Sequence, residues 1–345
     1  MGETTDRAAR GPRRDSPAQL SPPEWRVVLT RTAHEFRIHQ CWDLAAALTY
    51  HAVLSVCPAL LAAAAFLGLF GSAEPIARGA LGVVGDLGGD ETVAALTEPI
   101  SQLLSASQAG LAFLTGFAVT LWTISGYLGT FGRGMNRILG VPEGRPFWKS
   151  RPVMLAAAAV ITVLAAVIVG ALIVSGAVAA SVVRSIGWDD DVALVWDLGK
   201  LPVLAGLAAL IVAILYWATP NVRRPNLRWL SVGAAVALVA WMVTTAAFAV
   251  YVWNYASYDR TYGVLGGVVA FLLWLWLSNL AVLAGAVLDT EVERARQLRA
   301  GIAAQERLRL PLRDDRLVHV NERQRRRDVL ASARMLPDAE PDGAG

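Results

Sequence analysis

The chain has 345 residues with a formal net charge of +3; 55% are hydrophobic, only 17% are charged, and the mean hydropathy is +0.46. Soluble domains carry roughly 25% charged residues, and here the charges are also segregated. Six stretches (44–73, 99–132, 152–183, 201–222, 229–258 and 261–288) contain no Asp, Glu, Lys or Arg, and together they hold 176 residues. A soluble globule disperses charge over its exposed faces, so that class is excluded.

Taken in chain order, residues 1–23 are rich in Pro, Arg and Ser and predict a disordered tail. Residues 24–43 predict an amphipathic helix at the membrane interface, with Trp25, Val28, Leu29 and Phe36 between Arg26, Arg31 and Arg37. Each charge-free stretch exceeds the roughly 20 residues a helix needs to cross hydrocarbon. The apolar runs are continuous rather than alternating, which selects helices over strands. Six spans are therefore placed near 44–70, 109–132, 153–183, 201–219, 229–254 and 262–288. The fold class is all-α, a polytopic bundle. The segment 75–108 predicts an external amphipathic piece with Val93, Leu96, Ile100, Leu103 and Leu104 at helical spacing. Beyond the spans, 291–345 is an Arg-rich tail, helical at first and disordered from about Pro311.

Orientation follows from the basic residues. Of 31 Lys and Arg, 27 lie before the first span, between spans two and three, between spans four and five, or after span six. The positive-inside asymmetry places both termini in the cytoplasm. The first apolar run is too long for a signal peptide's core and reads as an uncleaved anchor. Cys41 and Cys57 form no disulfide framework. The isoelectric point near 9.1 is accounted for by these topological charges, so no nucleic-acid partner is expected. The basic tail has two readings, a solvated tail and a contact for anionic lipid headgroups.

Three groups of residues resemble one family. Ala45-Ala46-Ala47-Leu48-Thr49-Tyr50 leads to Leu54, Ser55 and Pro58, and then to Gly68-Leu69-Phe70-Gly71. Arg145-Pro146-Phe147-Trp148-Lys149 follows in a basic loop. Leu215-Tyr216, Pro220-Asn221, Gly233, Tyr251, Tyr258, Tyr262-Gly263, Trp274 and Gly285-Ala286 complete the pattern. Together these are similar to the YihY/BrkB family of bacterial inner-membrane proteins, over about residues 26–295. The resemblance implies a six-helix bundle in the cytoplasmic membrane. It also carries an old ribonuclease label, regarded as a misassignment, and links to serum resistance and envelope lipid export. His51 stands where the family commonly has a second aromatic, and Val287 where many members have Glu.

The residues carry no enzyme signature. His34 and His39 are five apart and diverge by about 140° on a helix, so they do not chelate one metal. No Gly-x-Ser-x-Gly elbow occurs. No catalytic residue, cofactor or metal is assigned. Within the spans, His51, Ser55 and Pro58 share one helical face, and Pro58 breaks a backbone hydrogen bond. They read either as a polar stripe along a translocation path or as packing groups, with His51 bonded to a neighbouring helix. Asn279 has the same two readings, and Tyr258 and Tyr262 are either interfacial anchors or headgroup contacts. Transport or export of a lipid or other amphipathic molecule is the function expected. A scaffold for envelope machinery is the alternative, and a membrane ribonuclease the lesser one.

Overall fold

A computed structural model describes residues 20–69, 93, 109–173, 190–223, 231–255 and 264–335. Residues 1–19 of the first tail, the external segment 75–108 apart from Val93, the end of the third predicted span and the chain's last ten residues lie outside these, while the tail's last residues are ordered, with Ser21 capping the first helix. Among the described residues, α1 runs Pro22–Ile38, α2 Cys41–Leu69, α3 Ala109–Leu139, α4 Phe147–Ile173 and α5 Asp190–Ala218. Then follow α6 Val232–Tyr255, α7 Val264–Arg299 and α8 Arg316–Ala333. There is no strand among them, only an isolated bridge between Val222 and Leu312.

Five of these helices hold stretches long and apolar enough to cross a membrane: Cys41–Ala63, Phe147–Leu172, Gly199–Ala218, Val232–Tyr251 and Gly266–Arg299. As little as 17% of such a stretch is buried within the bundle. The rest presents side chains such as Val163, Val167, Val203, Val243 and Val269 outward. A monomeric soluble protein does not expose apolar surface on that scale. The helix at the second predicted span, α3, is not among the five. Its polarity comes from hydroxyls and glycines, and the hydroxyls are satisfied locally. Thr120 donates to the Gly116 carbonyl (2.7 Å), Ser125 to that of Trp122 (2.7 Å) and Thr130 to that of Gly126 (3.1 Å). Such back-bonding lets Ser and Thr sit in a helix without outside partners.

One side of α3 forms the centre of the core. Leu128, Phe131 and Met135 are fully buried with Leu48 of α2, Tyr216 of α5 and Leu283 of α7. The Phe131 and Tyr216 rings stack at 6.2 Å. Glycine sets the closest approaches. A side chain on Gly233 would meet the Gly285 carbonyl oxygen at 2.1 Å, and one on Gly285 the Gly233 oxygen at 2.3 Å. The backbones of α6 and α7 therefore touch, as small residues permit between membrane helices. Trp241 Nε1 donates to Ser278 Oγ, and Trp274 Nε1 to Thr245 Oγ1, both at 3.2 Å along the same seam. The seam begins at Ser231, whose Oγ accepts from Ala234 N (3.1 Å) as an N-cap.

The α1 helix does not stand apart from the bundle. Val28 is buried with Leu288 and Val292 on α7, which continues well past the apolar stretch ending at Leu288. Beside it Glu291, 2% exposed at its side chain, accepts from Arg31 (2.8 Å) and Arg294 (3.0 Å). Arg294 in turn donates to the Ala304 carbonyl at 2.7 Å.

Where the sequence predicts disorder from about Pro311, the chain is ordered: it folds back on the bundle and then forms α8. Gln297 pairs with the backbone of Arg309, accepting from its N at 2.9 Å and donating to its O at 3.3 Å. Asn221 does the same for Asp314, accepting at 3.0 Å and donating at 2.7 Å. Asn221 also donates Nδ2 to the Pro142 carbonyl (3.1 Å) and its own N to Asn136 Oδ1 (2.8 Å). Asn136 donates to Glu143, which is gripped by Arg145 at 2.8 and 2.9 Å. Gly144 lies directly under this strap, since a side chain there would strike the Asp314 carbonyl oxygen at 2.0 Å. These contacts join the α3–α4 turn, the α5–α6 turn and residues 304–315 into one clamp at one end of the bundle. The α8 helix beyond it has no buried residue.

Two carboxylates in the clamp titrate abnormally. Burial pushes Glu143 up, but the Arg145 hydrogen bonds and charge, with help from Asn136, outweigh it and hold the group below the ordinary carboxylate range. The Lys149 hydrogen bond, chiefly, does the same for Asp314. Depressed carboxylate pKa values stabilise the fold at neutral pH and lose that effect as pH falls through the folded values. Thermal unfolding in detergent should therefore show the midpoint falling on acidification below about pH 4.5, the free carboxylate value. Glu143→Gln should lower the pH 7 midpoint and flatten the acid limb. Gly285→Ala should destabilise by about 1–3 kcal/mol through overpacking, read in the same assay. Gly206→Ala, which has nothing within 4 Å of the added atom, should be neutral or stabilising.

Candidate functional site

The predicted site residues separate into three groups. Asn279, 5% exposed, lies where α7 meets α2 and α3. Its Oδ1 accepts from the Tyr127 hydroxyl at 2.8 Å, and its Nδ2 donates to Thr49 Oγ1 at 3.1 Å. Thr49 Oγ1 in turn donates to the Ala45 carbonyl oxygen at 2.8 Å. The line crosses three helices, and the geometry is that of an interhelical packing bond.

The second group is on α2. His51 is half-buried, and its Nδ1 lies where a side chain on Gly126 of α3 would touch it, at 3.5 Å. Its ring also packs edge-on against Tyr50 at 5.6 Å. Ser55, on the same face, donates its hydroxyl to the Ala52 carbonyl at 2.6 Å. Pro58 stands within α2 and leaves the helix continuous to Leu69. The third group, Tyr258 and Tyr262, lies outside the described residues.

Two residues counted in the sequence only as topological charges lie along the same surface of α3. Arg133 belongs to α3, since that helix continues to Leu139. Its Nη2 donates to Thr130 Oγ1 at 2.8 Å, its Nη1 lies beside Gly129, and its charge is close enough to act on His51. Arg151 reaches from α4 to Ser125 Oγ on α3 at 3.0 Å, with its guanidinium 4.8 Å from the Trp122 ring and 5.2 Å from that of Phe147. The signal for them was a stripe on α3, namely Trp122, Gly126, Gly129 and Arg133 at spacings of four, three and four. This stripe faces away from the buried Phe131 and Met135.

Among the described residues no group of three His, Cys, Asp or Glu side chains is placed to hold a metal ion. His39 approaches Glu35 at 3.3 Å, and Glu35 also pairs with Arg31 at 3.3 Å, so both belong to the α1–α7 contact. Burial, chiefly, pushes the His39 imidazole below its ordinary value.

The family described as virulence factor BrkB matches residues 32–309, most of the chain. The chain belongs to this family. The BrkB match runs from α1 to the strap residue Arg309, and leaves α8 beyond it. YfkH of Bacillus subtilis (strain 168), whose name describes it as ribonuclease-like, is 26% identical over 269 residues, which are 76% of this chain and 94% of YfkH. A UPF0761 membrane protein of Alkalilimnicola ehrlichii is 30% identical over 270 residues, 74% of this chain and 55% of that protein. One from Alteromonas mediterranea is 46% identical over 84 residues, 24% and 28% of the two chains. The chain thus spans nearly all of YfkH but about half of the Alkalilimnicola protein. No solved structure matches. A BrkB-family membrane protein with several apolar helices is what the comparisons and the fold establish together. In this BrkB-family chain Val287 is buried in the core, and the nearby Asp289 accepts from Gly233 N at 3.3 Å.

The Asn279 line makes a quantitative test. Asn279→Ala leaves the Tyr127 hydroxyl buried without its acceptor and should cost about 1–3 kcal/mol. Tyr127→Phe should cost less. A double-mutant cycle by thermal or denaturant unfolding in detergent should give a coupling of about 0.5–1.5 kcal/mol, the range for hydrogen bonds between membrane helices.

Proposed function

We propose that this BrkB-family protein resides in the cytoplasmic membrane with both termini inside. In this reading α3 is the sixth span, and a lipid or other amphipathic molecule moves along the face where α2 and α3 meet. The observation that carries it is the seating of His51 on Gly126. There an ionisable side chain well inside a span meets a helix surface with no side chain, and hydroxyls and glycines continue along that surface. An ionisable group inside a membrane span is by default a candidate pathway residue. Orientation is supported by the gathering of α1, Arg145, Lys149, Arg223 and Arg313 at one end of the bundle, the end rich in basic residues.

The scaffold reading is favoured by one feature, the exposed α8 helix with Arg323, Arg325, Arg326 and Arg327. Anionic headgroups are the partner this charge would attract.

Purified protein in vesicles of phosphatidylcholine and phosphatidylglycerol, with a fluorescent lipid quenched from outside, tests the transport reading. Wild-type protein should raise the quenched fraction above that of protein-free vesicles. His51→Phe should lower the rate by about tenfold, as loss of one polar contact of about 1.4 kcal/mol would. Wild-type vesicles indistinguishable from empty ones would refute the proposal.

A further inference from the structure

Several cations of the bundle are matched by carboxylates, and two on the outward surface of α3 are not. Arg31 and Arg294 meet Glu291, Arg145 meets Glu143, Lys149 meets Asp314, and Arg296 meets Glu293. Arg133 and Arg151 meet no carboxylate among the described residues. Their hydrogen bonds go to single hydroxyls, Thr130 and Ser125. These hydroxyls are five residues apart on α3, a rise of about 7.5 Å. Each guanidinium has five N–H donors, so most of that capacity has no hydrogen-bond partner among the described residues, although Arg151 also lies over the Trp122 and Phe147 rings.

Helix geometry places Arg133 further in than its position suggests. Side chains lean toward the N-terminus of their helix, and for α3 that direction runs away from the clamped end. Arg133 accordingly extends past Gly129 toward Thr130 and His51. Arg151 arrives from α4 on the other flank, over Trp122. Gly126 and Gly129 leave the surface between them bare. An unpaired guanidinium at membrane depth is expensive, and a phosphate oxygen pair matches its planar fork bidentately.

The same α3 surface becomes apolar farther along. Leu111, Leu114, Val119 and Trp122 are exposed on it, and Tyr50 and Leu54 are exposed on adjacent α2. A cationic patch at one end and an apolar strip leading from it match the two ends of one molecule, a phospholipid.

We propose that Arg133, Arg151 and His51 form a binding site for the phosphate of an anionic phospholipid, whose acyl chains lie along Trp122 and Val119 of α3. The proposal rests on the transport reading for its physiological meaning, but the site is tested by binding alone. The phosphate of the headgroup and free inorganic phosphate share the recognising chemistry, and the apolar strip favours the lipid.

The full-length protein in dodecylmaltoside, analysed by native mass spectrometry after addition of phosphatidylglycerol, phosphatidylcholine or inorganic phosphate, separates the sources. Phosphatidylglycerol should be retained over phosphatidylcholine, and inorganic phosphate should displace it only in large excess. Arg133→Gln with Arg151→Gln should weaken retention by about tenfold or more, since both charge-assisted hydrogen bonds to the phosphate are lost. Arg133→Lys should lose less. On unaltered protein, a photoreactive phosphatidylglycerol should label peptides from 111–133 and 147–155. Equal retention by the double variant, labelling confined to other helices, or inorganic phosphate binding as well as the lipid would each overturn the proposal. A site that binds while reconstituted vesicles show no lipid movement would leave the site standing and remove the transport reading. Movement with no lipid bound here would do the reverse.

Discussion

Asn221 holds three separate parts of the chain with one side chain and one amide. Its carboxamide reads the backbone of Asp314 in both directions and the carbonyl of Pro142, while its own N–H goes to Asn136. The turns of a membrane bundle leave backbone groups that helices cannot satisfy internally. At this end the return segment and the two turns satisfy one another. Fixing these turns fixes the neighbouring ends of α3, α4 and α5, and the bare glycines at Gly132 and Gly144 bring the layers into contact.

The clamp also determines which way α3 faces. With Asn136 tied to Asn221 and Glu143, and with Phe131 stacked on Tyr216, the aromatic side of α3 is committed to the core. The opposite side, carrying Trp122, Gly126, Gly129 and Arg133, is then left outward beside α2 and α4. The polar surface is thus a product of the packing of the other face. Its two arginines are held on hydroxyls of a rigid helix rather than on a loop, which is the arrangement that positions donors reproducibly.

The apolar helices were legible because hydrocarbon imposes a length and excludes charge, and both constraints are local in sequence. The α3 helix stands out less, because it mixes hydroxyls and glycines with apolar residues. Its tolerance of them depends on bonds to its own carbonyls. The strap was invisible for a different reason. Residues 304–315 mix charged and apolar residues with no regular period, and what orders them lies far away in sequence: the carboxamides of Gln297 and Asn221, the Arg294 guanidinium, and the core that receives Leu308. Within the candidate site, the common face of His51 and Ser55 was readable from spacing alone. That Ser55 turns back to Ala52, that Asn279 finds Tyr127 and Thr49, and that Arg133 leans toward His51 all depend on the register between helices.

The line from Tyr127 through Asn279 and Thr49 to Ala45 has a further property. A hydrogen-bonded chain conducts protons only if each member takes a proton on one atom and releases another. Hydroxyls do so readily, but a carboxamide must pass through an unfavourable imidic form. With Asn279 in the middle, the line joins three helices and interrupts proton hopping at the same point. The line is therefore a mechanical link between the helices and not a proton wire.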